Sequence, residues 1–116
     1  MHPIGARLAY NDYNLMAQVL VLYNTPADPA AFDSYYHATH VPLANKIPGL
    51  RSYVINHGPV TAISGSAPHL VAQLTFDSVE AIQAALASPE GRTAAADLPN
   101  FASAGVTLLI CDFKAV

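Results

Sequence analysis

Charge is the scarcest commodity in this 116-residue sequence. Only 11% of its residues are Asp, Glu, Lys or Arg, against about 25% in an ordinary globular domain. Five Lys/Arg stand against eight Asp/Glu, without a basic run, so the electrostatic footprint of a nucleic-acid-binding protein is missing. A polybasic membrane-surface patch is excluded on the same ground. No stretch reaches the roughly 18 consecutive apolar residues that a membrane-spanning helix requires. Residues 1–15 lack the apolar centre of a signal peptide. The single Cys111 cannot form a disulfide within the chain, which fits a reducing compartment. The expectation is a cytoplasmic globular domain with neither nucleic acid nor membrane as a partner.

Common chemical signatures are also lacking. The Ser64-Gly65-Ser66 stretch has no Lys-Ser/Thr ending of a phosphate loop, and G-x-G-x-x-G, C-x-x-C, H-E-x-x-H and G-x-S-x-G are all missing. An enzyme built on this sequence is therefore expected to need no cofactor and to work on a bound organic molecule with side chains alone.

What the sequence has is apolar mass: 53% hydrophobic residues, with 21 alanines. That composition excludes disorder, and the length suits one domain. Thirteen charged side chains are few for the surface of a monomer. Either the surface is unusually neutral or part of it is covered by another chain.

Residues 1–15 follow neither a helical nor a strand period and read as an arm or extension, with Met16 opening the domain proper (16–116). Ala17–Asn24 is an apolar run on both alternating sets, as in a strand covered on both faces. Asp28-Pro29 reads as a helix N-cap followed by proline at the first helical position. The helix it opens carries Phe32, Tyr35, Tyr36 and Leu43 on one stripe. Pro42 is expected to bend or stop it, pushing Val41 out of the α region. Leu50–Asn56 reads as a second strand, and His69–Phe76 alternates cleanly as a third. Asp77 with Glu80 resembles a capping box opening a second helix, and Ser88-Pro89 restarts a short one running to about Asp97. Val106–Phe113 is a fourth, strongly apolar strand. The order β-α-β-β-α-β predicts an α+β, ferredoxin-like domain with a four-stranded antiparallel sheet. Helices cover one sheet face only, yet strands one and four are apolar on both. The second face is therefore expected to be buried in a homodimer.

The densest polar constellation is Phe32 to Leu43, FDSYYHATHVPL. At 100° per residue Phe32, Tyr36 and Leu43 face the sheet, and His40 lies about 80° from Phe32, on the shoulder of the stripe. His37 lies further out. A histidine beside an apolar cavity can serve as general acid or base, or it can be a packed structural residue. Asp33, His37 and His40 share a helix face, which suits metal ligation. Three ligands from one helix rarely close around an ion, so an Asp33–His37 pair in solvent is the preferred reading and no metal is expected. His2, His57 and His69 have no recognisable partner. Tyr23, Tyr36 and Tyr53 each offer an apolar body with a polar tip, suited to shaping a cleft. Asp97 and Asn100, near Phe101, are placed to cap the short helix or close a pocket mouth. Cys111 reads as a small core residue.

The run YYHATHVPLANKIPGLRSY, with Tyr35, Tyr36, His40, Pro42, Leu43, Lys46, Pro48, Gly49 and Leu50, resembles the EthD family, named for ethyl tert-butyl ether degradation. EGRTAAADLPNF, with Gly91, Asp97 and Phe101, resembles it too. The likeness extends over about Ala17 to Phe113. It implies a dimeric α+β barrel with a ligand cleft between helices and sheet, and it adds weight to His40 but not to His37. Related barrels include isomerases, polyketide cyclases and cofactor-free monooxygenases, and some bind haem. The expected function is binding of a small apolar or aromatic molecule, with His40 moving a proton. Phe32, Tyr23, Tyr36, Tyr53, Asp97 and Phe101 are expected to form the ligand site. The alternatives are a non-catalytic accessory protein of a degradation pathway, or a haem-binding barrel with His40 or His37 as axial ligand.

Overall fold

A computed structural model describes residues 16–116; the expected arm at 1–15, with His2, lies outside the described residues. The chain runs β1 (Ala17–Tyr23), α1 (Pro29–Tyr35), a π-helical turn (Tyr36–His40), α2 (Val41–Ala44), β2 (Ser52–Ile55), β3 (Leu70–Phe76), α3 (Val79–Ala87), α4 (Pro89–Asp97), a 3₁₀ turn (Leu98–Asn100) and β4 (Val106–Cys111). The strands form one antiparallel sheet in the order β2-β3-β1-β4. This is the α+β, ferredoxin-like arrangement expected from the element order.

Alternation decides what each strand buries. On β1, Ala17, Val19, Val21 and Tyr23 face the helices and are buried, as are Leu70, Ala72, Leu74 and Phe76 on β3. Phe32, Tyr36, Ala44, Ile47, Ile82, Ala85 and Ala94 close the core from the helical layer. Among the described residues no helix covers the opposite sheet face. There the pairing aligns Val54, Gln73, Leu20 and Leu109 in one row and brings Leu22 between Val71 and Thr107. Edge strand β4 leaves Leu108, Leu109 and Ile110 each about half exposed. Among the described residues no helix is long and apolar enough to cross a membrane.

Local signals behave as their chemistry dictates, with corrections. The Asp28 carboxylate accepts the Ala31 N–H at 3.1 Å, and Pro29 occupies the first turn. Pro42 does not stop the helix. Val41 keeps α geometry (φ −57°, ψ −47°), and the chain passes the proline through the wider π turn, in which the Val41 N–H reaches the Tyr36 carbonyl. The second helical region is capped by Ser78, whose hydroxyl accepts the Ala81 N–H at 3.0 Å. Asp77 instead makes a two-pronged pair with Arg51. Ser88 serves two helices at once: its hydroxyl donates to the Ala85 carbonyl and accepts the Gly91 N–H. At Gly91 a side chain has no room, because a Cβ there would lie 2.0 Å from the Ala85 oxygen. The close approach of α3 and α4 therefore requires glycine.

Candidate functional site

The π turn decides where His40 goes. Each residue of this wider turn rotates the chain less than an α-helical residue does, so His40 swings back from the shoulder onto the face shared by Phe32 and Tyr36. His40 is buried there, 6% exposed, while His37 remains exposed. The same shift carries Leu43 half out of the core and puts Ala44 in its place.

Behind His40 stands Asp97, the last residue of α4. His40 Nδ1 lies 3.0 Å from Asp97 Oδ2, and both side chains are almost fully buried. The other carboxylate oxygen accepts the Tyr35 hydroxyl at 2.6 Å and the Asn100 amide at 2.9 Å. Burial works to raise the pKa of Asp97, but the hydrogen bonds from Tyr35, Asn100 and His40 outweigh it and hold the carboxyl below its ordinary range. An ionised Asp97 fixes the tautomer with the proton on His40 Nδ1, leaving Nε2 as the basic atom. Among the described residues Nε2 has no hydrogen-bond partner.

His40 lines a cavity of about 60 Å³ between the helices and the sheet. Val19, Val21, Ala72 and Leu74 form its floor from the sheet, and Ala94, Ala95 and Leu98 close it from α4 and the 3₁₀ turn. With His40, Tyr23, Tyr36 and Tyr53 are the polar residues of a lining that is otherwise apolar. The Tyr36 and Tyr53 hydroxyls share a short hydrogen bond. Burial, followed by the proximity of other phenols, pushes the hydroxyls of Tyr23 and Tyr36 far up, and burial raises Tyr53 as well. All three stay neutral donors at any ordinary pH.

Four of the expected site residues, His40, Tyr23, Tyr36 and Tyr53, thus converge on one cavity. Phe32, Phe101 and Asp97 do not line it. Asp97 sits behind the imidazole rather than at a mouth. Phe101 packs on His40 with ring centres 4.8 Å apart and on Phe32 at 5.3 Å, forming the wall that holds the imidazole. Two further donors, Tyr35 and Asn100, complete the carboxylate shell. Nothing in sequence spacing signals that shell, because Tyr35 and Asp97 are 62 residues apart.

Asp33, His37 and His40 do not come together. Asp33 pairs with His69 Nε2 at 2.7 Å instead of with His37, so His69 has the partner that the sequence did not reveal. His57 is exposed, and Cys111 is half-buried on β4 rather than in the core. Among the described residues no group of three or more His, Cys, Asp or Glu could hold a metal ion. The cavity at His40 is far smaller than a porphyrin, and His37 lies outside it, on a separate cavity of about 470 Å³ that Asp33 and His69 also line.

Fold and site define a ferredoxin-like α+β protein with a histidine–carboxylate pair bordering an apolar helix–sheet cavity. The EthD domain family matches residues 24–105, and the chain belongs to that family. It is 46% identical over 103 residues to an uncharacterized 11.0 kDa protein in the thcB-thcC intergenic region of Rhodococcus erythropolis, covering 87% of this chain and 98% of that one. An ethyl tert-butyl ether degradation (EthD) family protein of Bacillus halodurans is 33% identical, with a TM-score of 0.78 over 85% of this chain and 99% of its own. More distant structures share the fold. They include a dimeric ferredoxin-like protein of Thermobifida fusca (14% identity, TM-score 0.62, 84% and 90% covered). SnoaB, a cofactor-independent oxygenase from Streptomyces nogalater, also matches (17%, TM-score 0.60, 88% and 96% covered).

Proposed function

We propose that this EthD-family protein binds a small neutral organic molecule in the cavity and catalyses a cofactor-free proton transfer on it, with His40 as the base and Asp97 as its positioning partner. One observation carries the reading: a buried imidazole with a carboxylate on Nδ1 and, among the described residues, no partner on Nε2 borders an apolar cavity. A buried nitrogen left without a partner is disfavoured unless a ligand meets it. In the reaction, Nε2 takes a proton from carbon next to a carbonyl, or from a hydroxyl. The imidazolium formed is neutralised by Asp97, and the same proton is returned to a different atom of the substrate. Isomerisation and cyclisation fit this sequence directly. A carrier that merely sequestered a hydrophobic compound would have no need of a carboxylate held ionised behind the imidazole, which favours the enzyme over the accessory protein.

The working unit of this proposal is a cytoplasmic homodimer. Support comes from the sheet face that no helix among the described residues covers, from the exposed leucines of β4, and from the dimeric neighbour of the same fold. The test of function is native mass spectrometry of the purified protein, to identify a retained small molecule, followed by turnover of that compound by wild type and His40→Gln. Loss of turnover with binding retained supports the proposal; unchanged turnover in the variant overturns it.

A further inference from the structure

The Asp33–His69 pair stands apart from the His40 cavity. It borders the second cavity, of about 470 Å³, between α1, the neighbouring ends of β2 and β3 and the loop that joins those two strands. That volume falls within the roughly 300–1,000 Å³ of small-molecule sites and exceeds the ~150 Å³ that holds a benzene. Its wall is held by the protein itself. The Asn56 side-chain oxygen accepts the Val71 N–H, and its amide donates to the Gly58 carbonyl, both at 2.8 Å. The His69 backbone N–H donates to the Tyr23 carbonyl at 2.8 Å, and the imidazole stands at 89° to the Phe32 ring with centres 5.2 Å apart. Groups fixed in this way leave less ordering to be done when a ligand binds.

The charge of this cavity selects its ligand. His69 Nε2 bonds to Asp33 Oδ1 at 2.7 Å, whereas Asp33 Oδ2 has no partner among the described residues. An ionised carboxylate accepts several hydrogen bonds, and a neutral imidazole on one oxygen does not cancel its charge. Among the described residues no Lys or Arg lines the cavity, and His37 is the other titratable side chain there. An anion would therefore meet Asp33 with no guanidinium or ammonium to receive it, and an alcohol would leave the carboxylate without a counter-charge. Ile55, Pro59, Val60, Pro68 and Leu70 supply apolar wall. We propose that this cavity is a second ligand site, which takes a protonated amine on an apolar skeleton of about one or two rings. The ammonium group donates to Asp33, and the skeleton lies against the proline-bearing loop. The site shares no lining residue with the His40 cavity, so it stands whether or not His40 is a base.

The probes are cyclohexylamine, cyclohexanol and cyclohexanecarboxylate, which share one ring and differ in charge. Binding to the full chain is followed by ¹H–¹⁵N correlation NMR at about pH 8, where an ordinary imidazole is uncharged and an alkylamine keeps its proton. The Asp33 side chain is 51% exposed, so the amine should bind about fivefold more tightly than the alcohol, as expected of a partly solvated ion pair. The carboxylate should bind more weakly than either. The largest shifts should fall on Asn56, Gly58 and His69, with Ala72 and Ala94 of the His40 cavity unmoved. Asp33→Asn, which keeps an acceptor oxygen for His69, should erase the preference for the amine, and added salt should reduce that preference in the wild type. An unchanged amide spectrum away from the cavity shows that the variant keeps its fold. No binding of the amine, equal binding of amine and alcohol, a preference that survives in Asp33→Asn, or shifts centred on Ala72 and Ala94 each overturns the site. Failure of the His40 reading is seen as unchanged turnover in His40→Gln and moves none of these readouts, so the two proposals fail separately.

Discussion

His40 and Asp97 lie 57 residues apart in sequence and 3.0 Å apart in space, and this one contact ties the first helical region to the end of α4. Tyr35 and Asn100 approach the same carboxylate from the solvent side. Removing the carboxylate leaves a buried imidazole N–H with nothing to donate to and two other donors without their acceptor. Asp97→Ala is expected to lower the unfolding free energy by about 3 kcal/mol, the range seen when one partner of a buried pair is deleted. Asp97→Asn, which keeps the shape and one acceptor oxygen, should cost about half as much. Urea unfolding midpoints at neutral pH measure both.

The same carboxyl sets an acid limit on stability. Its pKa in the folded chain lies below the ordinary value of 3.8, so the unfolded state binds its proton first as pH falls. The stabilisation from Asp97 is therefore complete well above 3.8 and is lost as pH drops through the lower folded value. The contribution of Asp97 to the stability gap between wild type and Asp97→Asn should narrow as pH falls below the ordinary value of 3.8. Denaturant titrations across that interval check it; a gap that widens on acidification contradicts the assignment of the shift.

Where α3 meets α4, space is the deciding quantity. Gly91→Ala places a methyl group 2.0 Å from the Ala85 carbonyl oxygen, a backbone atom that cannot turn aside. Separation of the two helices should cost about 2–3 kcal/mol and enlarge the cavity that Gly91 lines. Ser88→Ala removes the cap shared by both helices and should cost about 1 kcal/mol. Thermal denaturation ranks the two, with Gly91→Ala the more damaging.

The fold was legible because its signals are local. Alternation marked β3, the doubly apolar runs marked β1 and β4, and Asp28-Pro29 marked the start of α1. These patterns, read in order, give the ferredoxin-like domain. The site was legible only in part. His40 and the three tyrosines could be named from the aromatic helix and the strand ends, but the role of Asp97 could not, since its partners lie 57 and 62 residues away. The pairing of Asp33 with His69 escaped for the same reason, as a contact across the layers. The capping of α3 was misread by one position because Asp77 and Ser78 are both good N-caps, and the bidentate Arg51 claims Asp77. The burial of His40 was understated because a uniform 100° per residue has no place for a π turn.

The sheet face that no helix among the described residues covers supports a prediction about assembly. Leu20 and Leu109 are directly paired across β1 and β4, and both project from the side without helices. A charge placed there cannot be covered by an apolar partner surface without a large desolvation penalty. Leu109→Asp should shift a dimer toward monomer by at least about 2 kcal/mol in association free energy while leaving the secondary structure intact. Sedimentation equilibrium across a concentration series measures the shift; a monomeric wild type at micromolar concentration contradicts the homodimer itself.

The π turn ahead of Pro42 is the device that brings His40 over the cavity, and proline has a direct part in it. Pro42 has no N–H to give the Ala38 carbonyl, and its ring crowds that same carbonyl. The five-residue turn from Tyr36 to His40 relieves the crowding, with the Val41 N–H reaching back to Tyr36. Pro42→Ala restores an N–H that can close an ordinary α turn on Ala38. The gained bond and the loosened His40–Asp97 pair work against each other, so the unfolding free energy should change by less than about 1 kcal/mol. The site should not be spared. With the turn free to rewind, His40 moves toward the shoulder of the helix, and affinity for a cavity ligand that contacts Nε2 should fall about tenfold. The ¹⁵N shifts of the His40 ring report the change directly: wild type holds its proton on Nδ1 against Asp97, whereas Pro42→Ala should show the mixed-tautomer signal of a solvent-exposed imidazole. Unchanged ring shifts in the variant would show that Phe101 and Asp97 hold the turn without help from the proline.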